Sequence, residues 1–320
     1  MSDYVFECAS GKYGFFKVDS ENSHFYILMN TGVFDELELK EGTTHICGNF
    51  ENYPESITWM KNTDPTERLL SAILQYMSPI NKEIKKLITC QNPGEYYNRS
   101  VRGHYYNTIN NEAPPYKESS KLDEARSFQG IYNTLTHIFD FVEPETQNLS
   151  TYSNKIRECL ILACTEVEYL LKKTLLENNY PHSARMSMKD YIKLLPYLKP
   201  EQYSVKLKTF PDLGTFSPFA NWSTAKPTQS LNWYDSYNAV KHDRGSNRSS
   251  SSLEMLINSV AAIHILLEAH YGEHIFDSPL RSKYESIFYT VKRPSWELDE
   301  LAMPLLGTNR PWVQAKQVSF

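Results

Sequence analysis

A chain of 320 residues is long enough for one large domain or two ordinary ones, so its size forces no partner on it. With 33 Lys plus Arg against 38 Asp plus Glu, the formal charge of -5 excludes a protein that coats nucleic acid by general basicity, leaving only a local basic site open. Five scattered cysteines, Cys8, Cys47, Cys90, Cys159 and Cys164, form no C-x-x-C pair, which excludes a disulfide scaffold and fits a reduced, cytoplasmic protein.

In chain order, the first runs are YVFECA, YGFFKV, HFYILM, THICGNF and SITWM, separated by Gly, Asn, Asp and Ser. Short apolar and aromatic runs with such punctuation predict an antiparallel sheet or small barrel over residues 1–62. No basic region, apolar stretch and small-residue cleavage site open the chain in the manner of a secretory leader. Near Pro65 the period changes, and Leu69, Leu70, Ile73, Leu74 and Met77 predict a helix capped by Thr63 or Asp64. From Gln91 to Lys117 the sequence is rich in Asn, Gly, Pro and Tyr, so residues 63–119 are expected to comprise that helix and a long connecting loop.

Helical periodicity resumes with Leu122, Ala125, Ile131, Leu135, Ile138 and Val142 and stops before Pro144. A helix from about Thr151 to Glu177 puts Ile156, Leu160, Val167, Leu171 and Leu175 on one stripe, with Cys159 and Cys164 as small buried hydrophobes. A short helix follows from Met188 to Leu195, opened by Ser187 and closed before Pro196. After an irregular stretch to Thr228, the segment LNWYDSYNAVKHDRGSNR predicts a helix ending near Gly245, which suits a left-handed cap. The serine run Ser249 to Ser252 reads as a hinge and cap before a last amphipathic helix through Leu253, Leu256, Ile257, Val260, Ile263 and Leu267. That helix is too short and too broken by His and Glu to span a bilayer, so no membrane partner is expected. The closing residues 279–320, including FYTVK and RPWVQAKQVSF, read as an extended extension that returns to the sheet or covers the bundle.

The segment from Leu231 to Arg248 carries the densest chemistry. On a helix, Asn238 and His242 share a face one turn apart, with Lys241 and Arg244 beside them. An imidazole next to an amide donor and fixed cations can handle a phosphate or a ribose hydroxyl. Trp233, Tyr237 and Val240 recur at the same helical spacing, so an ordinary core helix with a charged outer face fits as well.

The order of a long helix IRECLILACTEVEYLLKKTL, a variable insert, the polar helix YNAVKHDR and the long apolar helix LEMLINSVAAIHILLEAHY resembles the HEPN superfamily of helical bundles. This family is widespread in prokaryotic toxins, antiphage defence proteins and nucleotide-handling accessories. The resemblance implies an α+β chain, with a HEPN-like bundle over residues 120–278 following the β-rich N-terminal domain. In ribonuclease members an arginine, often followed by a polar residue, precedes a histidine by four to six residues, and a dimer brings two such motifs together. They cleave RNA without metal or cofactor, activating the ribose 2′-hydroxyl and stabilising the charged phosphate. By this resemblance His242 matches the histidine and Asn238 the polar residue, with Lys241 and Arg244 as supporting cations. Tyr237 stands where the arginine would be, and a phenol cannot replace a permanent planar charge.

The resemblance leaves two functions open: a dimeric, metal-independent endoribonuclease of a defence or toxin system, or a silent scaffold that binds RNA, nucleotide or a protein partner. Arg248 and Tyr237 are further candidates for contact with RNA. A literal Arg-x(4)-His spacing occurs elsewhere, from Arg99 to His104 with Arg102 between, in a tyrosine-rich loop after Pro93 and Gly94. Cations beside stacking rings are the mixture that single-stranded nucleic-acid sites use, although an inert linker has the same composition. Glu166 and Glu168 point to different helix faces, with Glu166 the one that could approach His242; His264 and His270 read as satisfied core histidines rather than metal ligands.

Overall fold

The computed structural model describes residues 2–8, 13–18, 23–28, 44–47, 84–102, 118–181, 185–276, 284–305, 308, 310 and 312–320. The chain is α+β and divides into two compact units. One is built from Met1–Tyr97, Val101–Pro115 and Trp296–Lys316, the other from Asn98–Ser100, Tyr116–Ser295 and Gln317–Phe320. The expected boundaries are therefore redrawn: residues 296–316 fold with the N-terminal unit, while residues 98–100 of the expected loop fold with the helices.

In the N-terminal unit, β1 (Ser2–Cys8), β2 (Tyr13–Val18), β3 (Ser23–Leu28), β4 (Thr44–Cys47) and β5 (Ile84–Thr89) form an antiparallel sheet of order β4-β3-β2-β1-β5. The register sets Tyr4 against Phe16 and Thr89, and Val5 against Phe15 and Ile88. Val5 and Phe15 thus share one face, where Leu298, Leu301 and Met303 cover them. Because the apolar set of a strand lies on alternate residues, this contact fixes the register. A short parallel pair joins β6 (Glu95–Tyr96) to the C-terminal strand Gln314–Ala315, so the closing extension returns to this unit. Gly94 enters β6 at a φ of 87°, and a Cβ there would stand 2.9 Å from Val313 Cγ2. The strand expected at SITWM and the helix after Pro65 lie outside the described residues.

The second unit is a helical bundle. Its long elements are α1 (Glu118–Phe139) and α2 (Asn154–Glu177), the latter opened by Ser153, whose hydroxyl accepts from the Ile156 N–H. The helix expected over Met188–Leu195 is broken into α3 (Met188–Tyr191), a 3-10 turn and α4 (Leu195–Leu198). Pro196 does not end it: a proline in the first turn has no N–H to waste, so α4 starts there instead. α5 (Asn232–His242) and α6 (Leu253–Tyr271) complete the bundle. β7 (Ser204–Leu207) and β8 (Phe288–Lys292) pair with each other antiparallel, which separates FYTVK from the N-terminal sheet.

α6 is the centre. Its buried residues run round the whole helix, from Leu253 to Tyr271, and α2 packs along it. Length and composition alone would let α6 cross a membrane, but 83% of that stretch is buried within the fold. Ser252 caps α6 through the Met255 N–H, as the serine run leads one to expect.

Candidate functional site

α5 is held by its aromatic side. Trp233, Tyr234, Tyr237 and Val240 are buried; the Trp233 indole donates to the Pro218 carbonyl at 2.8 Å, and Tyr234 Oη donates to Glu168 at 2.5 Å. Burial, and then the hydrogen bond to Glu168, push the Tyr234 phenol well above its ordinary range, so it stays a donor. Glu168, not Glu166, is therefore the carboxylate of α2 that meets this helix.

The helix ends at His242, earlier than Gly245 would place it. Asp243 is the cap, at a φ of -139°, and Gly245 is not among the positive-φ glycines. Asp243 Oδ1 accepts from the N–H groups of Gly245 at 3.0 Å and Ser246 at 3.2 Å; the Ser246 side chain first, and then these backbone bonds, hold its carboxyl below the usual range. Asn247 ties the same turn back by donating to the Asp243 carbonyl at 3.0 Å. An Asx turn supplies the local stop that the glycine was expected to supply.

This turn leaves a cationic cluster in solvent. Lys241, His242, Arg244 and Arg248 are exposed and Asn238 is half-buried. Lys241 Nζ donates to Tyr237 Oη at 2.7 Å and sits 4.8 Å from the ring centre, contacts that raise its pKa, the hydrogen bond most. The side chains of Asn238, His242, Arg244 and Arg248 make no hydrogen bond or ion pair with the described residues. Tyr237 itself is 1% exposed, too deep to stack on a base, so its expected contact with nucleic acid is corrected. The position five residues before His242 is thus occupied by a buried phenol bearing a lysine.

Arg99 and Arg102 are also relocated. Arg99 is 6% exposed in the bundle, where Nη2 and Nη1 donate to the two oxygens of Glu124 at 2.7 and 3.0 Å and Nε donates to Glu177 at 2.8 Å. Its Nη1 also lies 3.3 Å from His270 Nδ1. A guanidinium only donates, so Nδ1 accepts, and His270 Nε2 carries the proton and donates to Thr174 Oγ1 at 2.9 Å. Burial first, and the Arg99 charge second, push His270 down to about 3 and keep it neutral. Burial works against the Glu124 charge, yet the Arg99 bonds together with Tyr271 Oη at 2.7 Å hold it down at about 2; Lys173 adds a bond at 3.0 Å.

Asn98 locks the same segment, its amide donating to the Glu177 carbonyl at 2.8 Å while its own carbonyl accepts from Tyr197 Oη at 2.6 Å. Arg102, 5% exposed, belongs to the other unit, with its guanidinium carbon 3.5 Å from the Tyr97 ring centre and 4.5 Å from that of Trp296. Neither arginine presents its charge to solvent, so both are corrected from nucleic-acid contacts to internal ties. His104 lies outside the described residues.

Two further features look reactive, an enclosed histidine cluster and a half-buried carboxyl. His264 Nδ1 is 2.9 Å from Ser286 Oγ and its Nε2 is 3.5 Å from Glu268, but all three residues are no more than 4% exposed, and the ring stacks on Phe276 at 4.7 Å. Glu166 has one buried oxygen without a hydrogen-bond partner; burial, and then Glu124 and Asp123, push its carboxyl up to about 7. Among the described residues no group of three or more His, Cys, Asp or Glu could hold a metal ion. No family model, curated protein or solved structure matches this chain.

Proposed function

We propose that the bundle is HEPN-like and binds RNA at the end of α5, with His242 as the acid–base group of a metal-independent endoribonuclease. One observation carries the reading: His242, Arg244 and Arg248 stand exposed and unpaired among the described residues, while the buried Arg99 and the half-buried Arg293 are tied to carboxylates. Exposed cations at a helix end also offset the helix dipole, so only a ligand experiment separates the two roles.

In this reading Arg244, Arg248 and Lys241 attract the phosphate, and Asn238 orients the ribose from one turn back on His242's face. His242 takes the proton of a ribose 2′-hydroxyl. The 2′-oxygen then bonds to phosphorus, the bond from phosphorus to the 5′-oxygen breaks, and that oxygen takes up a proton, leaving a cyclic 2′,3′-phosphate and a 5′-hydroxyl. A homodimer, a cytoplasmic setting and a role in prokaryotic antiphage defence or a toxin pair, with a possible protein partner there, belong to the same proposal by family analogy.

Buried Tyr237 favours a second reading, because no guanidinium stands where the family places one: a silent scaffold that binds RNA, nucleotide or a protein through the same cations. Cleavage of total RNA and defined tRNAs with EDTA present, by wild type and His242→Ala, tests the choice. Cleavage by wild type alone supports the nuclease. Equal cleavage by both removes His242 from the chemistry, and binding without cleavage supports the scaffold.

A further inference from the structure

β1, β5, β6 and the closing segment of the N-terminal unit enclose a cavity of about 170 Å³, whose walls all belong to that unit. Its floor is apolar, made by Val5, Ile88, Leu298, Leu301 and Met303; all but Ile88 are core residues no more than 6% exposed. Its wall carries charge of both signs, with Glu95 and Lys316 half-buried and Asp299 exposed. Thr89, Gln91 and Asn92, also exposed, complete the mouth. An apolar floor beneath a few convergent polar groups is the pattern of small-molecule sites, in an interior that otherwise packs without such gaps.

The wall groups retain bonding capacity. Lys316 Nζ donates to Tyr97 Oη at 2.9 Å and stands 4.9 Å from that ring's centre, which leaves the ammonium two further donors. Glu95 accepts from Gln314 Nε2 at 2.9 Å through one oxygen and keeps the other. Asp299 makes no hydrogen bond or ion pair with the described residues. Asp3, two residues before Val5 on β1 and so on the same face, has Oδ1 buried without a hydrogen-bond partner among the described residues. Its carbonyl accepts from the N–H of Cys90, a wall residue, at 2.7 Å. This side of the sheet therefore has more acceptors than donors where the cavity opens.

We propose that this cavity binds a free amino acid with an apolar side chain: Lys316 holds the carboxylate, Asp299 and Glu95 hold the ammonium, and the floor takes the side chain. Two wall carboxylates against one ammonium disfavour an anion, while a zwitterion gives every wall charge an opposite partner. At about 30 Å³ of liquid per water the cavity has the room of about five or six waters. Bonded atoms sit closer than separate waters, so this suits a molecule of roughly eight to ten heavy atoms and leaves out a nucleotide. A ligand of that size, held by a few charge-assisted bonds, is expected to bind with a dissociation constant of roughly 10 µM to 1 mM. The proposal does not rest on the RNA reading, because no wall residue belongs to the helical unit.

Isothermal titration of the full chain with L-leucine and L-methionine tests the site. Glycine, isopentylamine and isocaproate serve as probes that lack the side chain, the carboxylate and the ammonium in turn. At least one of the two amino acids is expected to bind, and each partial probe about tenfold more weakly or worse. Asp299→Asn and Lys316→Met should each weaken binding about fivefold or more, and Thr89→Trp, which fills the exposed mouth, should abolish it. Circular dichroism checks that these variants fold. The bound amino acid should also slow alkylation of the Cys90 thiol by iodoacetamide, read on the Cys90 peptide by mass spectrometry, which occupancy of a distant site would not do. The proposal is overturned if neither amino acid binds at about 10 mM. Binding that leaves Cys90 alkylation unchanged, or isopentylamine binding as tightly as leucine, overturns it equally. None of these failures bears on RNA cleavage at α5.

Discussion

Removing the Arg99 guanidinium should be among the most damaging single changes in the bundle. Arg99→Ala strips the Glu124 carboxylate, whose side chain is 0% exposed, of its two-pronged partner, and strips Glu177 and His270 of a donor each. Removing one member of a buried pair typically costs about 3–5 kcal/mol, because the remaining charge stays out of water. Glu124 keeps Tyr271 at 2.7 Å and Lys173 at 3.0 Å, which places the loss at about 3 kcal/mol, the lower end of that range. Arg99 also has a φ of 55°, a left-handed conformation that alanine would share without the compensating bonds. The assay is urea denaturation at neutral pH, with hydrogen exchange of α1 and α6 peptides as the local readout. Arg99→Ala, Glu124→Gln and the pair together complete a double-mutant cycle, in which a coupling above about 1 kcal/mol is expected. A loss for Arg99→Ala below about 1 kcal/mol, or simple additivity in the cycle, would refute the claim that this network holds the segment in place.

Acid should weaken the same bundle. Folding lowers Glu124 to about 2 and His270 to about 3, so their contribution is fully present above their ordinary values and is lost as pH falls, from about 6.5 for the imidazole and 4.5 for the carboxylate. Melting temperature against pH should show a fall that begins below pH 6.5, and His270→Gln should remove its upper part. Glu166 has the opposite sign: its raised value of about 7 means that stability is full below pH 4.5 and declines as pH rises through 7. Glu166→Gln should therefore stabilise the chain by about 1–2 kcal/mol at pH 8, allowing for partial exposure, and hardly at all at pH 4. If RNA binds at the α5 turn, Arg244→Glu with Arg248→Glu should reduce affinity about tenfold or more and lower the salt slope by roughly 1 to 2. Binding to a labelled RNA at several salt concentrations checks this, and an unchanged slope would move the RNA elsewhere.

Local periodicity sufficed for the helices over 118–139, 154–177, 232–242 and 253–271, because a helix repeats its buried face every turn and the sequence carries that repeat. It also sufficed for the early strands, whose runs are bounded by turn residues. The exposed cations of the α5 turn were legible too, since charged residues past the end of an amphipathic helix have no apolar face to join. Arg99 and Arg102 were not. A string such as NRSVRGH reads as a polar loop, and nothing in it names the carboxylates that await Arg99 twenty-five and seventy-eight residues away. Whether an arginine is a solvated contact or an internal tie depends on pairing across long sequence separations, which only the assembled bundle fixes. The same limit explains Tyr237 and Glu168: helical spacing put each on a face, but only the packing of α5 on α2 decided which face lay inside.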